Sequence, residues 1–151
     1  MQRILMVCLG NICRSPLAEG VLKSKVSSEF LIVDSAGTAA YHVGNLPDKR
    51  SIQIAKLHGI DITDQRARAF SKDDFDNFDI IYAMDRSNYN NIIRMASTAV
   101  QKNKVRLLLN ESFPGENLEV PDPYYGGEEG FENVYQLIDT ACSRIAAKIP
   151  T

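Results

Sequence analysis

Apolar residues recur along this chain in two alternating patterns. Short, mostly apolar runs of strand length occur at RILMVC (3–8), FLIVDSAG (30–37), DIIYAM (79–84) and VRLLL (105–109). Between them the apolar positions take helical spacing. SPLAEGVLKSKV (15–26) carries Leu17, Val21, Leu22 and Val26 at that spacing, and DKRSIQIAKLHG (48–59) ends in Gly59, a residue suited to closing a helix. DRSNYNNIIRMASTAV (85–100) aligns Tyr89, Ile92, Ile93, Ala96 and Val100, and GFENVYQLIDTACSRIAAKI (130–149) aligns Phe131, Val134, Tyr135, Ile138, Cys142 and Ile145. Residues 110–130, rich in Pro, Gly, Asn and acids, read as an irregular loop. Strands without a polar face need cover on both sides, so the pattern predicts an α/β domain with a parallel sheet and right-handed crossovers. Ligands of such sheets sit beyond the carboxyl ends of the strands. Cys8, Asp34–Ser35 and Asp85 are all predicted to lie at that rim.

Composition narrows the picture. A chain of 151 residues suits one domain. A net charge of −2, with no basic run, argues against a nucleic-acid partner. No segment approaches the length of a membrane span, and the first residues, MQRILMVCLG, are too soon interrupted for a secretory signal. A cytoplasmic location is therefore expected. Three cysteines, Cys8, Cys13 and Cys142, imply no disulfide framework, and each thiol needs its own reason in a reducing compartment. Cys142 falls on an apolar stripe and is expected in the core. His42 and His58 stand without clustered ligands, so neither a metal nor a cofactor is expected.

The chemistry concentrates in VCLGNICRSP (7–16). A loop between strand and helix can aim successive backbone N–H groups at one point and bind an anion, and the helix N-terminus adds partial positive charge. Pro16 suits the first helical turn. Gly10 permits positive φ or close approach of the backbone to a ligand, and Asn11 tolerates left-handed geometry or pins the loop with its amide. Arg14 offers a planar fork for two oxygens of a phosphate. A thiol at the mouth of such a nest becomes a nucleophile, because helix N-termini and cations lower thiol pKa values from about 8.5 to ~3.5–7.5. Ser15 can donate to that sulfur or cap the helix. The two usual phosphate-loop patterns, G-x-x-x-x-G-K-[ST] and G-x-G-x-x-G, are absent. For Cys8 alone an inert core thiol is the commoner role, but the residues that follow it weaken that reading.

VCLGNICRSP resembles the signature of the low-molecular-weight protein tyrosine phosphatases: Cys, five residues, Arg, then Ser or Thr. DSAGT (34–38), HVGNLPDKRS (42–51), HGID (58–61), YAMDRSN (82–88) and VPDPYYGGEEGFENVY (120–135) resemble further family segments in family order. The resemblance implies a single three-layer phosphatase domain over residues 1–151, with helices on both faces of a four-stranded parallel sheet in the order 2-1-3-4. It implies Cys8 as nucleophile, Arg14 as the phosphate-holding cation and Asp122 as general acid, although an Asp between prolines is more often a turn residue. Leu9, Gly10, Asn11, Ile12, Cys13 and Ser15 would form the phosphate loop, with Asn11 and Ser35 bracing it. Tyr41, where relatives often carry Trp, and the pair Tyr124 and Tyr125 would wall the pocket. That pair is also a kinase target in some members. Cys13 would trap oxidised Cys8 as a disulfide. Asp85 is expected as a helix cap or brace. The expected substrates are tyrosine-phosphorylated proteins or peptides, the chain acting as a monomer with at most weak self-association. Protein arginine phosphatases are similar but tend to carry Thr where Ile12 stands. Thiol-coupled arsenate reductases need two further cysteines that YAMDRSNYNN lacks. A non-catalytic anion or redox sensor would have no use for Asp122.

Overall fold

In the computed structural model, which describes residues 1–123 and 128–150, β1 (Gln2–Cys8) lies between β2 (Leu31–Gly37) and β3 (Ile80–Ala83), and β4 (Val105–Leu107) flanks β3. Every pair is parallel, giving the expected order 2-1-3-4. Successive residues of β1 point to opposite faces of the sheet. Ile4, Met6 and Cys8 pack with residues of α1 (Arg14–Lys25), α2 (Lys49–Leu57) and α6 (Glu128–Lys148). Leu5 and Val7 pack with residues of α3 (Asp74–Asn77) and α4 (Arg86–Met95). Ile4 to Val7 are fully buried, each side chain contributing about 1.5–3 kcal/mol relative to exposure. The two-sided apolar run thus makes β1 the centre of a three-layer fold. Cys8 ends it on the α1 side.

The helix ends follow local chemistry. Asp48 caps α2 by accepting from Arg50 N at 2.8 Å, and Gly59, with φ +78°, follows its last turn. Two expectations need correction. The helix predicted over 85–100 is two helices: Ala96 is extended, and Thr98 accepts from Gln101 N to start α5 (Ala99–Asn103). Val100 fits the apolar spacing yet is 70% exposed. The fourth strand stops at Leu107, and Leu108–Glu111 form a 3₁₀ turn that buries Leu108 and Leu109. The short α3 has no counterpart in the predicted elements. Buried Asp74 organises it, accepting from Ser71 N and from Arg68.

Candidate active site

The carboxyl end of β1 runs straight into the loop 9–13, and α1 begins at Arg14. Asn11, not Gly10, takes the left-handed conformation, with φ 56°. The residues just past β2 grip the loop from one side: Thr38 N donates to Cys8 O at 3.0 Å and Ala39 N to Leu9 O at 2.9 Å. Only glycine fits at Gly37, where a Cβ would lie 2.7 Å from Leu9 O and 3.1 Å from Asn11 N. On the other side Asp48 N donates to Ile12 O at 2.7 Å. Cys13 occupies the position before α1 and supplies no side-chain cap, so the first turn carries the uncapped N–H groups that favour anions.

A buried polar chain fixes the sulfur's surroundings. Ser35 Oγ donates to Glu19 Oε1 at 2.7 Å, so it accepts from Asn11 Nδ2 at 3.0 Å. Asn11 Oδ1 accepts from Arg68 N at 3.0 Å, which sets the amide's orientation. Its Nδ2 also donates to Ser15 Oγ at 2.8 Å. The Ser15 proton is left for Cys8 Sγ at 3.0 Å, since Ala36 O stands farther off at 3.5 Å. Of the two roles open to Ser15, the structure selects the sulfur contact over the cap. Glu19 anchors this chain, paired with Lys23. Burial pushes its carboxyl above the usual range, against hydrogen bonds from Lys23 and Ser35. Glu19 lies one helical turn beyond Ser15, and that spacing was the signal in the sequence that places it beneath the loop.

Arg14 is 3% exposed. Its Nη1 donates to Asp85 Oδ2 at 2.8 Å and to Val120 O at 2.9 Å, while Nη2 lies 3.8 Å from Asp122 Oδ2. Burial opposes the charge, but Cys8, Asp85 and Asp122 outweigh it and hold the guanidinium above its ordinary range. Asp85 also caps α4 by accepting from Asn88 N at 2.8 Å. Val120 N donates to Met84 O at 2.8 Å. Arg14 therefore clasps the end of β3 and the segment bearing Asp122 together, bringing Asp122 beside a thiol 114 positions earlier in the chain.

These elements enclose a pocket of about 240 Å³. Cys8, Cys13 and Arg14 lie among its walls with Leu9, Gly10 and Ile12, and Tyr41, His42 and Asp122 complete them. A small cavity with a cysteine sulfur, a buried guanidinium and a partly exposed carboxyl suits nucleophilic displacement on a bound oxyanion.

A family model described as low molecular weight phosphotyrosine protein phosphatase matches residues 3–151. The chain belongs to that family. It is 47% identical to a low molecular weight phosphotyrosine protein phosphatase of Schizosaccharomyces pombe over 91% of this chain and 90% of that one. Among solved structures, an Entamoeba histolytica protein tyrosine phosphatase with Hepes in its active site superposes with a TM-score of 0.91 at 39% identity, covering 98% of this chain and 96% of that one. A Drosophila arginine phosphatase superposes at 0.87 with 38% identity, covering 96% and 95%.

Within this phosphatase fold, most of the residues singled out from the sequence converge. Asn11, Ser15 and Ser35 stand behind the loop rather than in the pocket wall. Asp34 does not reach the rim: it pairs in register with Leu5, and its carboxylate meets Arg68 at 3.1 Å on the opposite face. Tyr41 is 78% exposed at the mouth. His42, considered in the sequence only as a metal ligand, edges onto Tyr41 with ring centroids 6.5 Å apart. His58 lies elsewhere, stacked on Tyr135 at 3.7 Å. Cys142 is fully buried in the core. Tyr124 and Tyr125 lie outside the described residues. The Cys13 thiol, 6% exposed, is pushed up to about 12 by burial and by the neighbouring Asp48, Cys8 and Asp122.

Proposed function

We propose that this phosphatase hydrolyses phosphotyrosine in proteins, and small aryl phosphates, through a cysteinyl-phosphate intermediate. The observation that carries the reading is the meeting of Cys8, Arg14 and Asp122 in one pocket. Cys8 Sγ attacks phosphorus, an S–P bond forms, and the P–O bond to the phenol breaks. Asp122 in its acid form gives the leaving oxygen a proton. Water then attacks phosphorus, Asp122 takes its proton, the S–P bond breaks and phosphate departs. The amides of residues 9–14 and the Arg14 edge not engaged by Asp85 and Val120 hold the equatorial oxygens as charge shifts. Ser15, oriented through Asn11, Ser35 and Glu19, stabilises the sulfur as leaving group in the second step. The three unpaired thiols suit a cytoplasmic setting.

Hydrolysis of p-nitrophenyl phosphate in the presence of EDTA tests the reaction. Asp122→Ala is expected to slow the first chemical step by about 10²–10⁴-fold, and unchanged burst kinetics would remove Asp122 from the mechanism. The Drosophila neighbour keeps an arginine phosphatase in view. The aliphatic Ile12 favours the aryl ester, and parallel assays on phosphotyrosine and phosphoarginine peptides decide between them.

Cys13 shares the pocket wall with Cys8, which supports a protective role. Peroxide oxidises Cys8 to a sulfenic acid. The Cys13 thiol then condenses with it, forming a disulfide and releasing water. Peroxide inactivation is expected to reverse with dithiothreitol. Sulfonic acid at Cys8 with no Cys8–Cys13 bridge by mass spectrometry would rule the trap out.

A further inference from the structure

A second cavity, of about 520 Å³, opens at the free edge of β4. It shares no lining residue with the catalytic pocket, and its volume suits a small molecule. α4 lends it Arg86, Tyr89 and Asn90, β4 lends Arg106, and the chain after β4 lends Asn110 and Asn117. That last wall is already fixed. Asn110 Nδ2 donates to Asn117 Oδ1 at 3.1 Å, Asn117 N donates to Asn110 Oδ1 at 2.9 Å, and Asn117 sits at φ 55°. A preformed wall costs little to order when a ligand arrives.

Charge selects the occupant. Glu111 also lines the cavity, but Lys148 pairs with it and the Tyr82 hydroxyl donates to it at 3.0 Å. Glu119 pairs with Arg86. Arg106 has no carboxylate partner among the described residues, and its guanidinium donates to the Tyr82 hydroxyl instead. The cavity therefore holds one unmatched guanidinium. It holds a second, Arg86, whose side-chain contact with Glu119 is long at 3.5 Å and whose side chain is 66% exposed. Planar forks of this kind take phosphate oxygens. The carboxamide of Asn90 and the hydroxyl of Tyr89 make no hydrogen bond among the described residues. They offer donors and acceptors that sugar hydroxyls satisfy. We propose that this cavity is a second ligand site that takes a small sugar phosphate and, when filled, slows catalysis through Arg86. The regulatory half rests on the phosphatase reading above.

The route to the catalytic pocket is short. Arg86 follows Asp85, the carboxylate that holds Arg14. Arg86 N donates to Glu119 Oε2 at 2.9 Å, and its guanidinium reaches Oε1. Glu119 precedes Val120, whose carbonyl Arg14 also holds, and Asp122 follows shortly in the same segment. A phosphate that draws the Arg86 guanidinium into the cavity takes a donor from Glu119. The segment is then held less firmly where the Asp122 carboxyl must meet the leaving oxygen, so the first chemical step slows.

Calorimetry with ribose 5-phosphate, ribose and inorganic phosphate tests the site, on wild-type enzyme whose catalytic pocket is filled with vanadate. Ribose 5-phosphate is expected to bind one per chain, about tenfold more tightly than either fragment. Arg106→Ala, and Asn90→Asp at an exposed position, are each expected to weaken it about tenfold. Both variants keep wild-type turnover of p-nitrophenyl phosphate when no sugar phosphate is present. In wild type, ribose 5-phosphate is expected to lower kcat about fivefold, a fraction of the loss expected without Asp122, with KM unmoved. Absence of binding to the vanadate-filled enzyme, or binding unmoved by both substitutions, would overturn the site. Inorganic phosphate binding as tightly as ribose 5-phosphate would overturn the sugar assignment. A rise in KM alone, or turnover indifferent to bound sugar phosphate, would overturn the regulatory role and leave the phosphatase reading intact. Wild type inactive on p-nitrophenyl phosphate with no sugar phosphate present would remove that reading, and the regulatory role with it.

Discussion

Replacing Cys8 by Ser is expected to abolish turnover of p-nitrophenyl phosphate, by more than about 10⁴-fold, while phosphate and phosphotyrosine peptides still bind. Attack on phosphorus and cradling of its oxygens fall to different groups. Serine keeps a small group at the end of β1, so the loop's anchors from Thr38, Ala39 and Asp48 are untouched. Arg14 keeps its grip on Asp85 and Val120. What disappears is the sulfur nucleophile: a serine hydroxyl is intrinsically a far weaker acid than a thiol and attacks phosphorus poorly in its place. Ser15, the nearest polar contact of the sulfur, is itself a hydroxyl whose proton points toward position 8. Binding of a phosphotyrosine peptide to Cys8→Ser, measured by calorimetry, separates loss of chemistry from loss of fold. Wild-type turnover in this variant would discard covalent catalysis at Cys8 altogether.

What the sequence could reveal depended on range. The strand, loop and helix around Cys8 are contiguous, so their chemistry is legible from a dozen letters. β1 announces its central place because Ile4 to Val7 leave no polar face. The residues that meet from afar are different. Period-two alternation separates Asp34 from Ser35, sending one to Arg68 and the other to Asn11, but a list of strand residues does not say which face holds the site. Asp122 could be assigned only by resemblance, because its approach depends on Arg14 reaching Val120 O across 106 positions. The break between α4 and α5 was hidden by Ala96 and Val100, which continue the apolar spacing although Thr98 caps a new helix. There the capping chemistry outweighed the periodicity.

Arg14→Lys is expected to lower kcat/KM for aryl phosphates by about 10³-fold, although charge is conserved. The guanidinium does two jobs with different edges. Nη1 holds Asp85 and Val120 O at 2.8 and 2.9 Å, which ties β3 and the Asp122 segment to the start of α1. Among the described residues Nε makes no hydrogen bond and Nη2 only approaches Asp122, leaving a planar edge for two oxygens of a phosphate. A lysine ammonium is one nitrogen. If it stays with Asp85, it abandons the phosphate. If it turns to the phosphate, Asp85 and Val120 O lose their donor and the segment bearing Asp122 loses its tie to α1. Either way an interaction needed as charge moves onto the oxygens is lost, so kcat is expected to fall more than KM rises. Retained circular dichroism and a cooperative melt would show that the variant folds. A folded Arg14→Lys protein within about threefold of wild type would mean that a point charge suffices, and that the fork geometry joining Asp85, Val120 and substrate has no part in catalysis.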